Sequence, residues 1–500
     1  MSDLTRRVAV LLQQAAEVYA GSRWELRLRH AEQDVGGPLR VALAGRVSSG
    51  KSTLLNALVG DRVASTDAGE CTRVVTWYSR GDDERAVALL REPALGASTA
   101  PLPLCRERGR LLIDLDGHAP AQLARVDVRL DNASLDGLTL VDTPGTGSLT
   151  PELGAAARRF LTGDDEDGDA PDAIVYLMRQ LHVSDTDFLE AFRDPSARGV
   201  PPVNAVAVVS RADETGGGRD DALDVAGTIA AGYARESRLR PYVQTVLPVA
   251  GLLASASTTL DADTDADLRA LAALSPAVTD PMLLSAERFG APRRYVPVPP
   301  GRRAGLVEDL GLFGVRWTLE EIRAGRADDL TTVRRRMAVA SGLTALQDVL
   351  RSQIIGRRDV LKADAALRLV QRVAADDERA GSRRVAALAE ELRLSVHDFA
   401  ELRLLNDLRL GLVDVDDATR HDMETLLGAR GGSLAARLQL GGPDEGPDGG
   451  PDPRTLRERL LAEHARWQAR AGDLISPPSV TRAAAVLQRT VEGLWADALG

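Results

Sequence analysis

The stretch GRVSSGKS, residues 45–52, fits the pattern G-x-x-x-x-G-K-S. It follows a short apolar run, LRVALAG (39–45), and leads into STLLNALV (52–59), which has the pattern of a helix. In that setting the pattern is a phosphate cradle. Gly45 and Gly50 let backbone N–H groups turn onto phosphate oxygens, with Ser49 and Thr53 beside them, and the helix N-terminus adds partial positive charge. Lys51 brings a compact, rotatable ammonium to the β- and γ-phosphates, and Ser52 offers its hydroxyl to Mg²⁺. The composition sharpens the point. Of 62 lysines and arginines, only Lys51 and Lys362 are lysine. Position 51 requires a point charge where a flat guanidinium fork fits poorly.

Three more stretches narrow the nucleotide. LVDTPGTG (140–147) is a strand-like run ending in Asp-x-x-Gly. Asp142 there holds Mg²⁺ through water and the Gly145 N–H meets the γ-phosphate. VAVVSRAD (206–213) is another strand-like run, ending where GTPases usually carry Asn-Lys-x-Asp. The Asp213 carboxylate can accept from guanine N1–H and N2–H₂, a donor pair that adenine lacks. Arg211 can lay its plane over the base, and Ser210 replaces the usual asparagine. GECTRVVT (69–76) lies between these motifs, where a threonine closes on Mg²⁺ and the γ-phosphate. Thr72 is the expected residue, with Thr66 and Thr76 as alternatives. Such a loop orders around a bound triphosphate. The expected ligands are GTP or GDP with Mg²⁺.

These motifs need a sheet to hold them. Strand-like runs occur at 74–79, 86–90, 110–115, 124–130, 138–142, 173–178, 204–210 and 244–250, with helical patterns between the later ones. Alternation of this kind predicts an α/β head, a mixed and mostly parallel sheet with helices on both faces. Residues 3–34 read as one amphipathic helix, with Val8, Leu11, Leu12, Ala15, Val18 and Tyr19 on one face, ended by Gly36, Gly37 and Pro38. After about residue 300 the strand signals stop. Segments 327–375, 382–407, 415–440, 454–471 and 479–499 read as helices of an all-α neck and trunk bundle. The expected division is an N-terminal helix (1–36) joining the bundle, a GTPase head (37–325) and the bundle (326–500). GGPDEGPDGGPDP (441–453) and GDDEDGDAPD (163–172) read as loops.

The chain has 500 residues, 44% of them hydrophobic, and a net charge of −11. That charge argues against broad nucleic-acid binding, and no nucleic-acid partner is expected. Two cysteines, Cys71 and Cys105, supply no disulfide framework and fit a cytoplasmic setting. No apolar run is long enough for a transmembrane helix, and the N-terminal segment lacks the core of a signal peptide. The six histidines lack metal-ligand spacing. Arg334–Arg336 reads as a solvated helix face rather than a lipid-binding patch.

The motifs and the helical tail together resemble bacterial dynamin-like GTPases of the isoniazid-inducible Ini type of actinobacteria, most of all the shorter member of that group. The stretches that carry the resemblance are LRVALAGRVSSGKSTLLNALVGD, DAGECTRVVTW, LVDTPGTGSL, DAIVYLMR, SRADE, VLPVAGLLA and LGLFGVR, spread over residues 39–316. The resemblance implies a GTPase head on a helical neck and trunk, with the N-terminal helix returning to the bundle. It also implies nucleotide-dependent pairing of heads and membrane remodelling, often with a second dynamin-like paralogue. VLPVAGLLA would supply the last guanine-side loop around Val249 and Ala250. Many dynamins carry Gln-Ser where this chain has Val47 and Ser48, and those residues help position the attacking water and a charge-compensating cation. Ser48 keeps half of that pair. Val47 has no polar group, so slow or partner-dependent hydrolysis is expected.

The expected protein is thus a dynamin-like GTPase with Lys51, Ser48 and Thr72 as catalytic residues. Ser52, Thr72 and Asp142 would hold the metal, and membrane contact would be peripheral, on the inner face of the cytoplasmic membrane. Two other readings stand beside it. One is a GTP-dependent RNA or ribosome assembly factor, against which the acidic charge and the lack of a basic, aromatic surface argue. The other is a nucleotide switch or pseudo-GTPase regulating a partner, which Val47 favours.

Overall fold

The computed structural model describes residues 2–64, 74–90, 98–107, 109–144, 170–192, 204–429, 431–440 and 452–499. Its centre is a 9-stranded sheet of order β11-β10-β9-β1-β8-β2-β7-β3-β4. The strands are β1 (Leu39–Gly45), β2 (Thr76–Arg80), β3 (Arg85–Leu90), β4 (Ser98–Leu102), β7 (Leu123–Leu130), β8 (Leu138–Asp142), β9 (Ala173–Met178), β10 (Ala205–Ser210) and β11 (Val246–Val249); β5 (Leu104–Glu107) and β6 (Arg110–Ile113) form a separate hairpin. From β11 to β8 every pairing is parallel; β2 turns antiparallel to β8, and β3 and β4 continue in antiparallel pairing. The sheet is therefore mixed and mostly parallel, as the strand–helix alternation predicts. Strands β8, β9 and β10 are buried along their whole length, which explains their unbroken apolar runs.

Register decides where the site lies. Leu43 of β1 pairs with Asp142 of β8, and Gly45 pairs with Leu177 of β9. The ends of three parallel strands therefore meet at one edge, where open α/β sheets place ligands.

The helical regions depart from the sequence pattern in two places. Residues 3–34 form two helices, α1 (Asp3–Val18) and α2 (Arg23–Asp34). Gly21, at φ +72°, turns the chain between them, and the Ser22 side chain caps α2. Apolar periodicity runs across this turn and conceals it. The long segment 327–375 is also broken. Gly342 sits at φ +80° and a π-turn occupies Leu350–Ile354 before the helix Arg358–Asp376. Within Arg334–Arg336, the first residue donates to the Leu260 carbonyl and the last pairs with Glu321, so two of the three are tied inward rather than left to solvent.

Strand β4 was not legible as a strand because STAPL carries Pro101 on the edge of the sheet, where a missing donor is tolerated. Of the two expected loops, 441–451 and 163–169 lie outside the described residues.

Two apolar cores matter for the site. One packs Leu54 and Leu140 of the sheet region with Leu346, Leu350 and Ile354. The other packs Val8, Leu11 and Leu12 of α1 with Val370, Phe399, Leu487 and the fully buried Trp467. The N-terminal helix thus lies in the helical bundle, and the Tyr19 hydroxyl donates to Ser382 Oγ at 2.7 Å.

Candidate functional site

The turn after β1 has the backbone of a phosphate cradle. Gly45 adopts φ +146°, and a Cβ there would stand 2.3 Å from the Leu177 carbonyl oxygen. Only glycine fits beside β9. Ser48 (φ +60°) and Gly50 (φ +91°) continue the turn, and helix α3 (Lys51–Val59) begins at its end. The buried Lys51 ammonium donates to the carbonyls of Gly45 and Arg46, each at 3.2 Å. The ammonium is thus held on loop carbonyls in the place from which it would pass to phosphate oxygens.

Ser52 and Asp142 meet across the cradle, with Ser52 Oγ donating to Asp142 Oδ2 at 3.0 Å. The other carboxylate oxygen, Oδ1, is buried without a hydrogen-bond partner, as is Ser49 Oγ. Buried polar atoms without partners are costly, so both fit a site that receives a hydrated cation and a phosphate. Burial pushes the Lys51 pKa down, opposed by Asp142, and pushes the Asp142 pKa up, opposed by Lys51 and Ser52. A triphosphate and a cation would supply each with its missing countercharge. Thr143 fixes the strand end by donating to the Leu43 carbonyl at 2.8 Å.

A pocket of about 160 Å³ opens beside the cradle. Ser49, Gly50 and Thr53 line one side; Ser210, Arg211, Asp213 and Val249 line the other. Segments separated by well over a hundred residues are thus brought together. Arg211 takes a left-handed backbone conformation, φ +55°, at the end of β10. Its guanidinium donates to the Ser48 carbonyl at 3.0 Å and to Glu214 at 2.8 Å. It braces the cradle against the base side instead of standing free. Ser210 Oγ donates to the Met178 carbonyl at 3.3 Å, tying β10 to β9. Burial raises the Asp213 pKa, helped by Glu214 and opposed by its own backbone amide and by Arg211. Ala250 is fully buried next to Val249, and its N–H donates to the Ser341 carbonyl at 3.0 Å.

Thr72 and Gly145 lie outside the described residues, as do Thr66 and Cys71. Thr76 stands opposite Asp142 in the sheet, but its hydroxyl turns to the Val74 carbonyl at 3.3 Å. Ser48 is exposed at the mouth of the cradle beside Val47, which is 53% exposed.

Several neighbours were not singled out as site residues, although Glu214, Leu252 and Gly311 lie in SRADE, VLPVAGLLA and LGLFGVR. Glu214 and Leu252 line the pocket. Gly311 kinks the helix Pro300–Arg323 at φ +68°, and a Cβ there would lie 3.9 Å from Asp213 Oδ2. Gly342 lets the next helix approach β11 so closely that a Cβ would stand 2.2 Å from the Pro248 carbonyl. A glycine inside a helical pattern reads as a flaw until its neighbour in space is known.

Among known proteins, residues 41–102 match the Dynamin family. Isoniazid-induced protein IniC of Mycobacterium tuberculosis, in strains H37Rv and CDC 1551, is 36% identical over 465 residues, covering 92% of this chain and 90% of that protein. Isoniazid-induced protein IniA of the same organism is 29% identical over 205 residues, covering 36% of this chain and 30% of IniA. A solved structure, described as an oligomerised bacterial dynamin pair for long-range sensing and tethering of membranes, aligns over 99% of this chain and 75% of its own at 12% identity, with a TM-score of 0.30. The length and identity of the IniC match place this chain among the bacterial dynamin-like proteins, as a homologue of IniC with a dynamin-family GTPase head.

Proposed function

We propose that this protein binds GTP with Mg²⁺ in the pocket between β1 and β10, hydrolyses it, and couples that cycle to pairing of heads and to work on a membrane. The observation that carries the reading is the single pocket shared by Ser49, Gly50 and Thr53 of the cradle and by Asp213. Lys51 and the loop amides hold the β- and γ-phosphates and offset charge as the terminal phosphoryl leaves. Ser52 and Asp142 hold the metal, Asp142 through water. The chemistry a bound Mg²⁺ supplies is neutralisation of the phosphate oxygens. Asp213 selects guanine, the Arg211 brace fixes the distance between base and phosphate subsites, and Val249 and Ala250 close the base side. Ser48 and Thr72 position the attacking water.

Val47 offers no polar contact at the cradle mouth, so basal turnover is slow and rises when a second head, of this chain or of a dynamin-like paralogue, completes the site. The similarity to both IniC and IniA of one organism supports the paralogue. The proposed division is head 37–325 and bundle 326–500, with residues 1–36 in the bundle; the start of that second part packs Leu343, Leu346, Leu350 and Ile354 into the core of the sheet.

Membrane contact has a candidate in the bundle. Leu474 is 100% exposed and Ile475 is 95% exposed, in the turn joining the helices Pro453–Ala471 and Pro478–Leu499. Two adjacent apolar side chains fully in water at a hairpin turn suit shallow insertion into a bilayer. Among the described residues no helix is long and apolar enough to cross a membrane. Flotation with vesicles, with and without GTP, tests the membrane half of the proposal: binding that survives replacement of both residues by serine contradicts this turn as the anchor. A switch without turnover is the second reading, favoured by Val47. Tight GTP binding with no phosphate release at any protein concentration, alone or with a paralogue, would establish it.

A further inference from the structure

The stretch LGLFGVR, residues 310–316, lies in the helix Pro300–Arg323 and lines no part of the pocket beside the cradle. It nevertheless packs around Asp213. Ala212, the residue before the aspartate, is buried in one apolar core with Leu310 and Val315. Gly311 breaks the helical backbone at φ +68°, and a Cβ on it would lie 3.9 Å from Asp213 Oδ2. The helix thus meets both the residue before the carboxylate and the carboxylate itself.

Its third hold on Asp213 passes through a turn. After Glu214 the chain runs through Gly216, Gly217 and Gly218, at φ +63°, +82° and +67°. Glycine enters the left-handed region at no steric cost, and a run of three leaves the turn loosely fixed by its own backbone. Gly218 closes the turn. Its N–H donates to the Thr215 carbonyl at 3.2 Å, and a Cβ on it would stand 3.3 Å from the Asp213 carbonyl oxygen. The two residues pack backbone to backbone, so the position of Gly218 sets that of Asp213.

Arg316, the last residue of the stretch, fastens Gly218. Its Nη1 donates to the Gly218 carbonyl at 2.9 Å and its Nη2 to the Leu283 carbonyl at 3.4 Å. A planar guanidinium can join two carbonyls from separate segments in this way. Asp220 lies 3.6 Å from Nη1 with its side chain 76% exposed, so the pair adds little. Arg179 and Arg211 grip the turn at Glu214, at 2.6 Å and 2.8 Å, before the glycines begin. Hydrogen bonds weaken steeply as distance and angle drift. A carboxylate that accepts two of them from one base therefore needs a fixed backbone.

We propose that Arg316 is a positioning residue for base selection: by pinning Gly218 it fixes Asp213 where guanine donates. The proposal rests on the reading that Asp213 receives the base. Arg316 acts through the turn alone, from outside the pocket.

Binding of GTP and of ATP, each with Mg²⁺, is measured by competition for one fluorescent nucleotide, on the full chain and on its Arg316→Met and Arg316→Lys variants. Methionine removes the donors and keeps an unbranched side chain. In Arg316→Met, GTP binding weakens by about tenfold, the scale of one hydrogen bond from a charged group. ATP binding, which depends on the cradle, stays as it was, so the preference for GTP narrows by the same factor. Arg316→Lys keeps a donor for the Gly218 carbonyl and recovers most of the preference. Recovery by lysine separates loss of the pin from loss of the fold. Equal weakening of both nucleotides, or a preference that Arg316→Met leaves at its original value, overturns the proposal while guanine selection by Asp213 stands. An unaltered chain with no preference for GTP over ATP overturns the reading of Asp213 and this proposal with it.

Discussion

Lys362 Nζ lies 3.2 Å from the carboxylate of Asp172 and 2.8 Å from that of Asp34. Lys362 is buried in the helix Arg358–Asp376, whereas Asp172 precedes β9 and accepts the Arg40 backbone N–H of β1 at 2.8 Å. The chain's second lysine therefore ties the bundle to the two strands that flank the cradle, and to α2 through Asp34. Replacing Lys362 by Met leaves the Asp172 carboxylate without its ammonium and Asp34 with Arg40 alone. We expect a loss of about 3–5 kcal/mol in unfolding free energy, measured by chemical denaturation. A change within about 1 kcal/mol, the value of a surface ion pair, would show that the tie is incidental.

The same cluster predicts an acid limit. Burial alone would raise the Asp34 pKa, but Arg40 and Lys362 outweigh it and hold the carboxyl below its usual range. A carboxyl whose folded pKa is depressed stabilises the fold above its unfolded value of about 3.9, and that contribution disappears as pH falls through the folded value. Unfolding free energy should therefore decline below about pH 4. In Asp34→Asn the decline over that window should be shallower. Parallel pH profiles for the two proteins would remove Asp34 from the account.

In the proposed site, guanine selection rests on Asp213. Asp213→Asn replaces an acceptor pair with an amide that donates where guanine also donates. GTP affinity should fall by about 2–3 kcal/mol, the scale of hydrogen bonds to a charged group, while xanthosine triphosphate, which carries a carbonyl in place of the amine, gains. Competition between the two nucleotides reads this directly. Unchanged preference in the variant would place the base elsewhere.

The turn at Leu474–Ile475 should matter to membranes alone. Serine at both positions removes two exposed apolar side chains, each worth about 1.5–3 kcal/mol when fully buried. Vesicle flotation should drop strongly while GTP turnover in the absence of lipid stays as it was. Loss of turnover together with flotation would mean that the turn supports the fold rather than the bilayer.

Much of this was legible in the sequence. GRVSSGKS, LVDTPG and SRAD are local patterns whose chemistry dictates spacing within a few residues, and the strands that lead into them, β1, β8 and β10, lie in one sheet. What stayed hidden depends on contacts across the chain. Gly21 breaks the first helix although the apolar period runs on, because φ +72° leaves no trace in side-chain spacing. Gly311 makes sense only once its backbone is seen at φ +68°, and Gly342 only once the Pro248 carbonyl lies against it. Arg211 reads as a base-stacking residue in sequence; its in-plane hydrogen bonds to Ser48 and Glu214 carry no mark there. Lys362 draws notice only as a rare residue type. Its partners are at positions 34 and 172, far apart in the chain.

The β1–β10 pocket is the proposed site of GTP turnover. Phosphate release by the purified full chain with Mg²⁺ tests it most directly, followed across protein concentration with ATP as the competing substrate and Lys51→Ala as the control. Release is expected from GTP and not from ATP, slow at low concentration, rising per molecule as heads meet, and reduced by about 10²–10³ in Lys51→Ala. Equal release from ATP, or release that Lys51→Ala leaves intact, would contradict it.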